Sequence, residues 1–395
     1  MNAPLELEDA QARLLGLLSS TEAQSVEVDA SAGRFLAEPV IARRNQPDAD
    51  LSAMDGYATA GDGPWHIKGE SRAGMPFDKV VGTGEAIRIS TGAQMPLGTD
   101  AVLIQEDAQV DGSRIAASQA PTARYIRRAG FDFGASDTLL EAGTRMGAAQ
   151  IALARAGGVS EALVHRQPHV AVIECGDELC ADPTDCPHGQ IPSTNGAMLS
   201  EMAAEAGARA ARFGPVADDA DMITRTILQA SEDAALVVIS GGASVGPHDL
   251  VKPALEAAGF SLDFWRVAIK PGKPLLVAQR GETVVLGLPG NPVSSYVTGF
   301  LFMVPAIRQL AGAAHSLPRA IRVPLSAPLA GGGKRREFLR ASWTGEGVAA
   351  ADVQDSSALL PLAHANVLID RPAQCDPSET GAFVPAYLLE SGAYA

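Results

Sequence analysis

The chain has 395 residues, of which 46% are hydrophobic and 19% charged, so it has enough apolar material for roughly two to four domains with buried cores. This composition excludes an intrinsically disordered protein. The formal net charge of -15 opposes binding to nucleic acid or to anionic membranes, because those partners attract basic surfaces. An anionic ligand must therefore be held by a local basic pocket.

The N-terminal segment MNAPLELEDA is acidic and is followed by no long apolar stretch. We therefore expect no signal peptide and a cytoplasmic location. Residues 293–311 form the most apolar window, but Pro305 and Arg308 interrupt it. The window is typical of a buried helix, and we expect no membrane span.

The cysteines are expected to be reduced thiols, because a chain without an extracellular signal rarely carries a disulfide framework. Three of them lie near His188, but their spacing lacks the Cys-x2-Cys knuckle of a zinc site. His165 and His169 flank Pro168, which breaks the helix that a His-x3-His ligand pair needs. Neither group favours zinc. The cysteines are Cys175, Cys180, Cys186 and Cys375.

The residue pattern changes along the chain and predicts separate domains. Residues 1–42 together with 135–166 are interpreted as a discontinuous helical domain, with one helix over residues 5–18 and another around Ala30–Glu38. Residues 43–134 are rich in Gly and Pro and contain short apolar runs, which predicts an inserted β-rich domain.

Residues 167–315 alternate between strand-like and helix-like segments, which predicts a parallel sheet covered by helices. Ligands in this architecture bind at the carboxyl ends of the strands, where two glycine-rich loops fall. Residues 316–395 return to short strands and predict a C-terminal β domain. The expected fold class is therefore multidomain, α/β plus β.

The first glycine-rich loop follows the apolar strand LVVIS. Gly241, Gly242 and Gly246 permit positive φ and close backbone approach, and a helix start near Asp249 would direct N–H groups at an anion. The loop therefore suits a phosphate group. The alternative is that the glycines only turn the chain and that Asp249 is only an N-cap.

The same loop contains Gly-Ala-Ser-Val-Gly, which matches the nucleophile elbow G-x-S-x-G of serine hydrolases. In that reading Ser244 would be the nucleophile. In an elbow the helix begins at the serine, whereas Pro247 and Asp249 predict a helix start several residues later. The context therefore argues against a hydrolase.

The second loop, LGLPGNPVS, has Asn291 as a natural N-cap and Pro292 at the first helical position, so it could be no more than a well-formed helix start. The segment IKPGK places Lys270 and Lys273 around a Pro-Gly turn, near Arg266. In so acidic a protein this cluster indicates an oxyanion site, although a solvated turn would also account for the lysines.

Several acids and hydroxyls are candidates for chemistry. Asp55 stands in an Asp-Gly pair that could be a plain hairpin turn, and Thr91 could be an ordinary strand end. Glu178, Asp218 and Asp249 lie near predicted sheet edges, from which carboxylates can bind Mg²⁺ beside a phosphate. As single residues they are equally typical of surface charges or caps.

Taken together and in order, these motifs resemble the molybdopterin molybdenumtransferases, the family of MoeA and the gephyrin E domain. The resemblance implies a MoaB/MogA-like α/β domain, a barrel-like C-terminal β domain and an elongated homodimer with its site at the junction of two subunits. It also implies an adenylyltransferase and delivery proteins as partners, and neither nucleic acid nor membrane. The matching segments are RNQPDADLSAMDGYA, ISTGAQMPLGTDAV, RRAGFDF, GDEL, SGGASVG, AIKPGKP, GLPGNPVS and REFLR.

Members of this family insert molybdate into adenylylated molybdopterin in a Mg²⁺-dependent step that cleaves the pyrophosphate and releases AMP and molybdenum cofactor. By resemblance, Asp218 and Asp249 are the expected Mg²⁺ ligands. The residues with implied catalytic roles are Asp55, Thr91, Glu178 and Asp249. The residues with implied substrate-binding roles are Asp132, Asp218, Gly241, Gly242, Ser244, Gly246, Lys270, Lys273, Pro289, Asn291, Pro292, Ser294 and Arg340.

Two positions depart from the family pattern. Arg266 stands where a lysine often precedes AIKPGKP, which keeps the charge but changes its geometry. Ser193 stands where the family commonly has Asp, which removes a carboxylate. Three other functions stay open at this point: a non-catalytic scaffold like gephyrin's structural role, the serine hydrolase, and a related adenylyltransferase. The adenylyltransferase would leave Asp55, Thr91 and the terminal β domain unexplained.

Overall fold

The computed structural model describes residues 4–242 and 250–389. It contains two compact units, of which the larger comprises Met1–Gln24, Gly33–Ala37 and Val164–Ala395. The smaller unit comprises Ser25–Ala32 and Glu38–Leu163. No helix within the described ranges is both long and apolar enough to cross a membrane.

The smaller unit is built on a six-stranded sheet with the order β7-β4-β6-β5-β9-β8. Strand β4 is buried along its whole length and runs antiparallel to both neighbours, β6 and β7. The first helix of the chain, α1, is Leu7–Gly16. The strands and helix that follow are β1 Ala23–Glu27, β2 Val40–Ile41, β3 Leu51–Ser52, β4 Gly56–Thr59, β5 Trp65–Ser71, β6 Glu85–Ile89, β7 Ala101–Ile104, β8 Ala108–Asp111, β9 Arg114–Ala117, β10 Ile126–Arg127, β11 Thr138–Leu140, α2 Ala148–Ala156 and β12 Glu161–His165.

The helix predicted over Ala30–Glu38 was wrong. The structure has only a single 3-10 turn at Val28–Ala30, after which Gly33 adopts a left-handed φ of 76°. A residue in that conformation ends a helix rather than continuing it. Leu36 instead forms an isolated bridge with Val164.

The larger unit contains the α/β sheet, with the order β16-β13-β17-β21-β20-β18. Its elements are β13 His169–Cys175, β14 Leu179–Cys180, β15 Ile191–Pro192, α3 Asn195–Glu205, β16 Arg209–Val216, α4 Ala220–Ala230, β17 Leu236–Ser240, α5 Val251–Ala257, β18 Ser261–Arg266, β19 Ile269–Lys270, β20 Pro274–Arg280, β21 Thr283–Leu288, α6 Pro292–Thr298, a π-helical turn Gly299–Met303 and α7 Val304–Leu310.

The sheet is only partly parallel, which corrects the expectation of a parallel sheet. Strands β16, β13, β17 and β21 are parallel, whereas β20 and β18 are antiparallel to their neighbours. The reason is the tight hairpin between β20 and β21, in which Arg280 pairs with Thr283. So short a connection can join only antiparallel strands.

Two cores lie on opposite faces of this sheet, because successive strand residues point to opposite sides. Val170, Val172 and Val238 pack with α1, α3, α6 and α7, while Ile173 and Ile239 pack with α4 and α5. These side chains are fully or almost fully buried. The two helical layers fix the strand ends, and with them the loops that follow.

A second sheet of the larger unit has the order β19-β23-β25-β26-β22, with β24 paired to β23. Strand β19 lies in the connection between β18 and β20 of the α/β sheet. It pairs with β23 of the second sheet, which places Lys270 opposite Glu337. Its remaining elements are β22 Ile321–Pro324, β23 Arg336–Trp343, β24 Val348–Ala350, α8 Leu359–Ala363, β25 Val367–Arg371 and β26 Phe383–Leu388.

The expectation of reduced cysteines was wrong for one pair, because Cys180 and Cys186 form a disulfide. Strands β14 and β15 pair with each other and close the loop that contains both residues, which brings their Cα atoms to 5.7 Å. That separation is ordinary for a disulfide. Cys175 and Cys375 are free. Among the described residues, no group of three or more His, Cys, Asp or Glu side chains could hold a metal ion.

Candidate functional site

A cavity of 760 Å³ opens at the carboxyl ends of β13 and β17. The chain passes from β13 to β16 on one side and then returns to β17 on the other, so the strand order reverses between β13 and β17. Such a switch point is where open α/β sheets bind ligands. The residues that line the cavity include Glu174, Cys175, Glu178, Asn195, Asp218, Ser240, Gly241, Gly242, Pro289, Asn291, Pro292 and Ser357.

The start of the glycine-rich loop is tightly constrained. Gly241 has a φ of 91°, and a Cβ at this position would lie 2.2 Å from the carbonyl oxygen of Cys175. Only glycine fits there. The rest of the predicted loop, with Ser244, Gly246 and Asp249, lies outside the described residues. Helix α5 begins at Val251.

Glu174 is a buried carboxylate at the start of α3, with 3% of its surface exposed. Its oxygens accept hydrogen bonds from the Ser193 hydroxyl at 2.6 Å and from the backbone N–H groups of Asn195 at 3.1 Å and Gly196 at 2.7 Å. A carboxylate is favourable at a helix N-terminus because of the partial positive charge there. Ser193, the residue that departs from the family pattern, therefore helps to hold the carboxylate of Glu174 in place.

Cys175 lies beside Glu174 in the cavity wall. Burial raises the pKa of its thiol to about 12, and the carboxylates of Asp218 and Glu174 add to the shift. The thiol therefore stays protonated at neutral pH and is not a nucleophile.

Glu178 and Asp218 are exposed at the rim of the same cavity. The backbone N–H of Asp218 donates to the carboxylate of Asp177 at 3.0 Å, which fixes the loop after β16. Both predicted acids therefore reach the cavity. Asp249, the other expected Mg²⁺ ligand, is outside the described residues.

A second cavity of 440 Å³ lies next to the first, and Pro274 lines both. Its walls carry more cationic than anionic side chains, which makes it the local basic pocket that an acidic protein needs for an anion. The charged residues that line it are Lys270, Lys273, Arg335, Arg340, Arg371, Glu337 and Asp355.

Glu337 organises one wall of this cavity. It is 3% exposed and accepts hydrogen bonds from Lys270, at 2.8 Å, and from Arg371. Burial alone would raise the pKa of Glu337, but these two cations hold it below its ordinary value. The carboxylate therefore stays ionised and fixes both cations. Glu337 and Arg371 did not emerge from the sequence as site residues.

Lys273 and Ser294, to which the family resemblance assigns oxyanion binding, also line the second cavity. Lys273 is exposed and makes no ion pair within 4 Å in the part of the chain that the structure describes. The side-chain hydroxyl of Ser294, although that residue is 6% exposed, has no hydrogen-bond partner there either. Both groups are thus available to a ligand.

Arg340 is also among the residues that line this cavity, but it is buried, with 1% of its surface exposed. Its guanidinium donates to the carbonyl oxygens of Val353, Asp355 and Ala358 at 2.9–3.1 Å and to the side chain of Gln354. Arg340 therefore holds the loop over residues 353–358 while its charge remains close to the cavity.

That loop connects the two cavities. Asn291 occupies the N-cap position of α6, as predicted, but its side chain makes no cap hydrogen bond and instead donates to the Ser356 hydroxyl at 3.0 Å. The backbone N–H of Val293 donates to the carbonyl of Ser356 at 3.0 Å. Ser356 faces the second cavity and Ser357 the first.

In the smaller unit, the structure brings together two predicted residues. The backbone N–H of Thr91 donates to the carboxylate of Asp55 at 2.7 Å, and both residues are exposed. The next residue, Gly56, must be glycine, because a Cβ there would lie 2.1 Å from the carbonyl oxygen of Leu103. Asp132 is exposed in another loop, which its N–H anchors to Gln46 at 2.9 Å.

Replacing Ser193 by Asp is expected to lower the free energy of unfolding at pH 7 by about 1–3 kcal/mol, because two carboxylates would then face each other at Glu174. Their repulsion raises the pKa of the pair in the folded state, so the loss should shrink as the pH falls to about 5. Urea unfolding at both pH values measures this. Ser193→Ala, which adds no charge, should show no such recovery, and equal behaviour of the two variants would contradict the account.

Comparisons with known proteins agree with this architecture. Residues 5–158 match the MoeA N-terminal region (domain I and II), residues 171–309 a probable molybdopterin binding domain, and residues 322–389 the MoeA C-terminal region (domain IV). A molybdopterin molybdenumtransferase of Haemophilus influenzae is 35% identical over 317 residues, which cover 78% of each chain. One of Staphylococcus aureus is 30% identical over 406 residues, with 99% of this chain and 97% of the relative covered.

The crystal structure of the molybdopterin biosynthesis MoeA protein from Pyrococcus horikoshii superposes with a TM-score of 0.84 at 25% identity, covering 98% of this chain and 100% of the other. The expected multidomain fold class, α/β plus β, is thereby confirmed. With family models over most of its length and relatives above 30% identity, this chain belongs to the MoeA family, the molybdopterin molybdenumtransferases.

Proposed function

We propose that this enzyme inserts molybdate into adenylylated molybdopterin in a Mg²⁺-dependent step that cleaves the pyrophosphate and releases AMP and molybdenum cofactor. The observation that carries this proposal is the pair of adjoining cavities, one at the switch point of the α/β sheet and one lined by cations. A volume of 760 Å³ is suited to a ligand of nucleotide size. The smaller cavity is suited to the dianion.

Molybdate is the substrate assigned to the second cavity. The ammonium of Lys273 and the hydroxyl of Ser294 supply donors, while Lys270, held by Glu337, and Arg340 supply fixed positive charge. Such preorganised cations bind a tetrahedral dianion without rearrangement. The Asn291–Ser356 hydrogen bond supports this assignment, because it joins a residue that lines the larger cavity to one that lines the smaller cavity.

The pyrophosphate is assigned to the larger cavity, where Gly241 and Gly242 allow the backbone to approach it closely. Hydrolysis breaks the phosphoanhydride bond, with water supplying the oxygen and AMP departing. Mg²⁺, when bound, would neutralise charge on the phosphates. The exposed carboxylate of Asp218 suits it, because Mg²⁺ is usually held by one or two carboxylates plus substrate oxygens, and we assign Asp249 as the second ligand. Glu178 is assigned a catalytic role at the same phosphates.

Asp55 and Thr91 are assigned catalytic roles, and Asp132 a role in substrate binding, within a cytoplasmic homodimer. The roles of Asp55 and Thr91 are supported by the hydrogen bond between them, which holds both residues in one loop cluster. The partners proposed for the dimer are a molybdopterin adenylyltransferase and proteins that deliver the cofactor to molybdoenzymes. The four domains are proposed to have the boundaries predicted from the sequence.

The decisive test measures AMP release from adenylylated molybdopterin by the purified chain. AMP is expected only when molybdate and Mg²⁺ are both present, because the anhydride is cleaved in the insertion step. Release that does not depend on molybdate would contradict the insertase, and no release at all would favour a scaffold. Labelling of Ser244 by a fluorophosphonate would instead support the serine hydrolase.

A further inference from the structure

The side-chain amide of Asn195 lies in the wall of the larger cavity, at the first residue of α3, and is 5% exposed. Its Nδ2 donates to the Ser240 hydroxyl at 2.9 Å and to the carbonyl oxygen of Gly290 at 2.7 Å. Its Oδ1 is buried and has no hydrogen-bond partner within residues 4–242 and 250–389. Asn195 thus offers one unused acceptor at a cavity wall.

The orientation of this amide is determined by its surroundings. A backbone carbonyl can only accept a hydrogen bond, so Gly290 requires the nitrogen of Asn195 to face it. The reversed amide would set two oxygens against each other and would lose the contact. Oδ1 is therefore fixed as the atom without a partner. Buried polar atoms are almost always paired, so an unpaired one in a residue that lines a ligand cavity is available to a donor on the ligand.

The charge next to Asn195 restricts what that donor can belong to. Glu174 occupies the N-terminus of α3 and accepts the N–H groups of Asn195 and Gly196 that would otherwise bind an anion. A phosphate group at this end would meet a buried carboxylate of the same charge. The group that reaches Asn195 is therefore not a phosphate, and the neutral N–H and O–H donors of the proposed substrate lie in its heterocyclic and ribose parts.

We propose that Asn195 is a specificity-determining residue whose Oδ1 accepts a hydrogen bond from a neutral N–H or O–H of the substrate, in its heterocyclic or ribose part. In the same arrangement, Glu174 keeps the phosphates away from the start of α3 and so fixes the direction in which the substrate lies. This inference rests on the proposed function for the identity of the substrate. Neither residue was singled out by the sequence motifs.

The experiment pairs protein variants with ligands that lack one donor. The full-length chain, as wild type, Asn195→Ala and the matched control Ser240→Ala, is titrated calorimetrically with AMP, with its deoxyribose analogue and with its analogue without the adenine amino group. A second arm uses hydroxymethylpterin and its analogue without the amino group. Thermal unfolding checks each variant, and Asn195→Ser replaces Asn195→Ala if the latter does not fold.

In the wild type, removing the donor that meets Asn195 should weaken binding by about fivefold, as expected for one neutral hydrogen bond. Asn195→Ala should bind the intact ligand about fivefold more weakly and should not distinguish it from that analogue. Ser240→Ala, which retains Oδ1, should still distinguish them. The arm that shows this pattern identifies the nucleotide or the pterin as the source of the donor.

Two results would overturn the inference and are distinct from each other. If Asn195→Ala discriminates between ligand and analogue as the wild type does, or if the wild type discriminates in neither arm, Asn195 does not read a donor. If the wild type binds neither AMP nor the pterin, the substrate assigned under the proposed function is wrong, and the role of Asn195 fails with it.

Discussion

Replacing Lys273 by alanine is expected to raise the molybdate concentration that gives half-maximal AMP release by about tenfold to a hundredfold, the range for one hydrogen bond to a charged group. Lys273 lines the cationic cavity and, in the part of the chain that is described, has no ion pair to share its charge. Its ammonium is therefore the cation that a dianion can engage at the least cost. The rate at saturating molybdate should change far less, because Lys273 lies in the anion cavity and not among the residues assigned to the phosphates.

A molybdate titration of AMP release measures this effect in wild type and variant. Lys273→Arg keeps the charge and should recover most of the affinity. The matched control is Lys334→Ala, which removes an exposed lysine that does not line the cavity. A lower maximal rate with an unchanged molybdate dependence would assign Lys273 to the chemistry rather than to the anion.

Much of the fold could be predicted because buried strands and amphipathic helices leave a local pattern. The run HVAVIEC is buried on both faces in the structure, as a central parallel strand should be. Strand β16, by contrast, is exposed along most of its length, and its sequence RAARFGPV carries no apolar alternation. It lies at the edge of the sheet, where pairing rather than burial holds it. Such a strand leaves little local signal in the sequence.

The reversed direction of β20, which makes both β21 and β18 its antiparallel neighbours, was missed for a different reason. Alternation of strands and helices indicates a parallel sheet, but the direction of a strand depends on the length of its connection. The connection here is the short turn at Gly281, whose φ of 58° suits glycine. The disulfide was missed because its exclusion rested on compartment, whereas the pairing of β14 and β15 determines the distance between Cys180 and Cys186.

The site was predictable where a motif is continuous in sequence and not where side chains meet across the fold. Gly241 and the lysines of the Pro-Gly turn stand in short motifs, and their residue types indicate close backbone approach and positive charge. The contact between Lys270 and Glu337 joins residues that are 67 positions apart and arises because β19 pairs with β23. One local signal was available for Glu174, since an acid at the end of an apolar strand is unusual in a buried position.

Replacing Glu337 by alanine is expected to lower the free energy of unfolding at pH 7 by about 3–5 kcal/mol, the usual loss when one member of a buried ion pair is removed. Glu337 is 3% exposed and is the carboxylate shared by Lys270 and Arg371. Without it, the mostly buried guanidinium of Arg371 would keep only the carbonyl of Ala330 as a hydrogen-bond partner among the described residues. Lys270 can turn to solvent, but Arg371 cannot.

The pH dependence gives this prediction a sign. Burial opposes ionisation of Glu337, but its two cations outweigh burial and hold its pKa below the ordinary value. A lowered pKa means that the ionised carboxylate stabilises the folded state fully above about pH 5 and that this contribution is lost as the pH falls through the lowered pKa. The difference between wild type and variant should therefore be constant near neutrality and shrink in acid.

Urea unfolding followed from pH 7 to pH 3 tests both parts. Glu346→Ala removes an exposed acid from the turn that follows β23 and should change the stability little at any of these pH values. Glu337→Gln keeps the shape and one acceptor, so its loss at pH 7 should be smaller than that of Glu337→Ala. Both losses should shrink in acid, because neither variant carries a carboxylate that titrates at this position. A wild-type advantage that grows as the pH falls would mean that Glu337 is held protonated, and the charge balance of the anion cavity would then have to be reassigned.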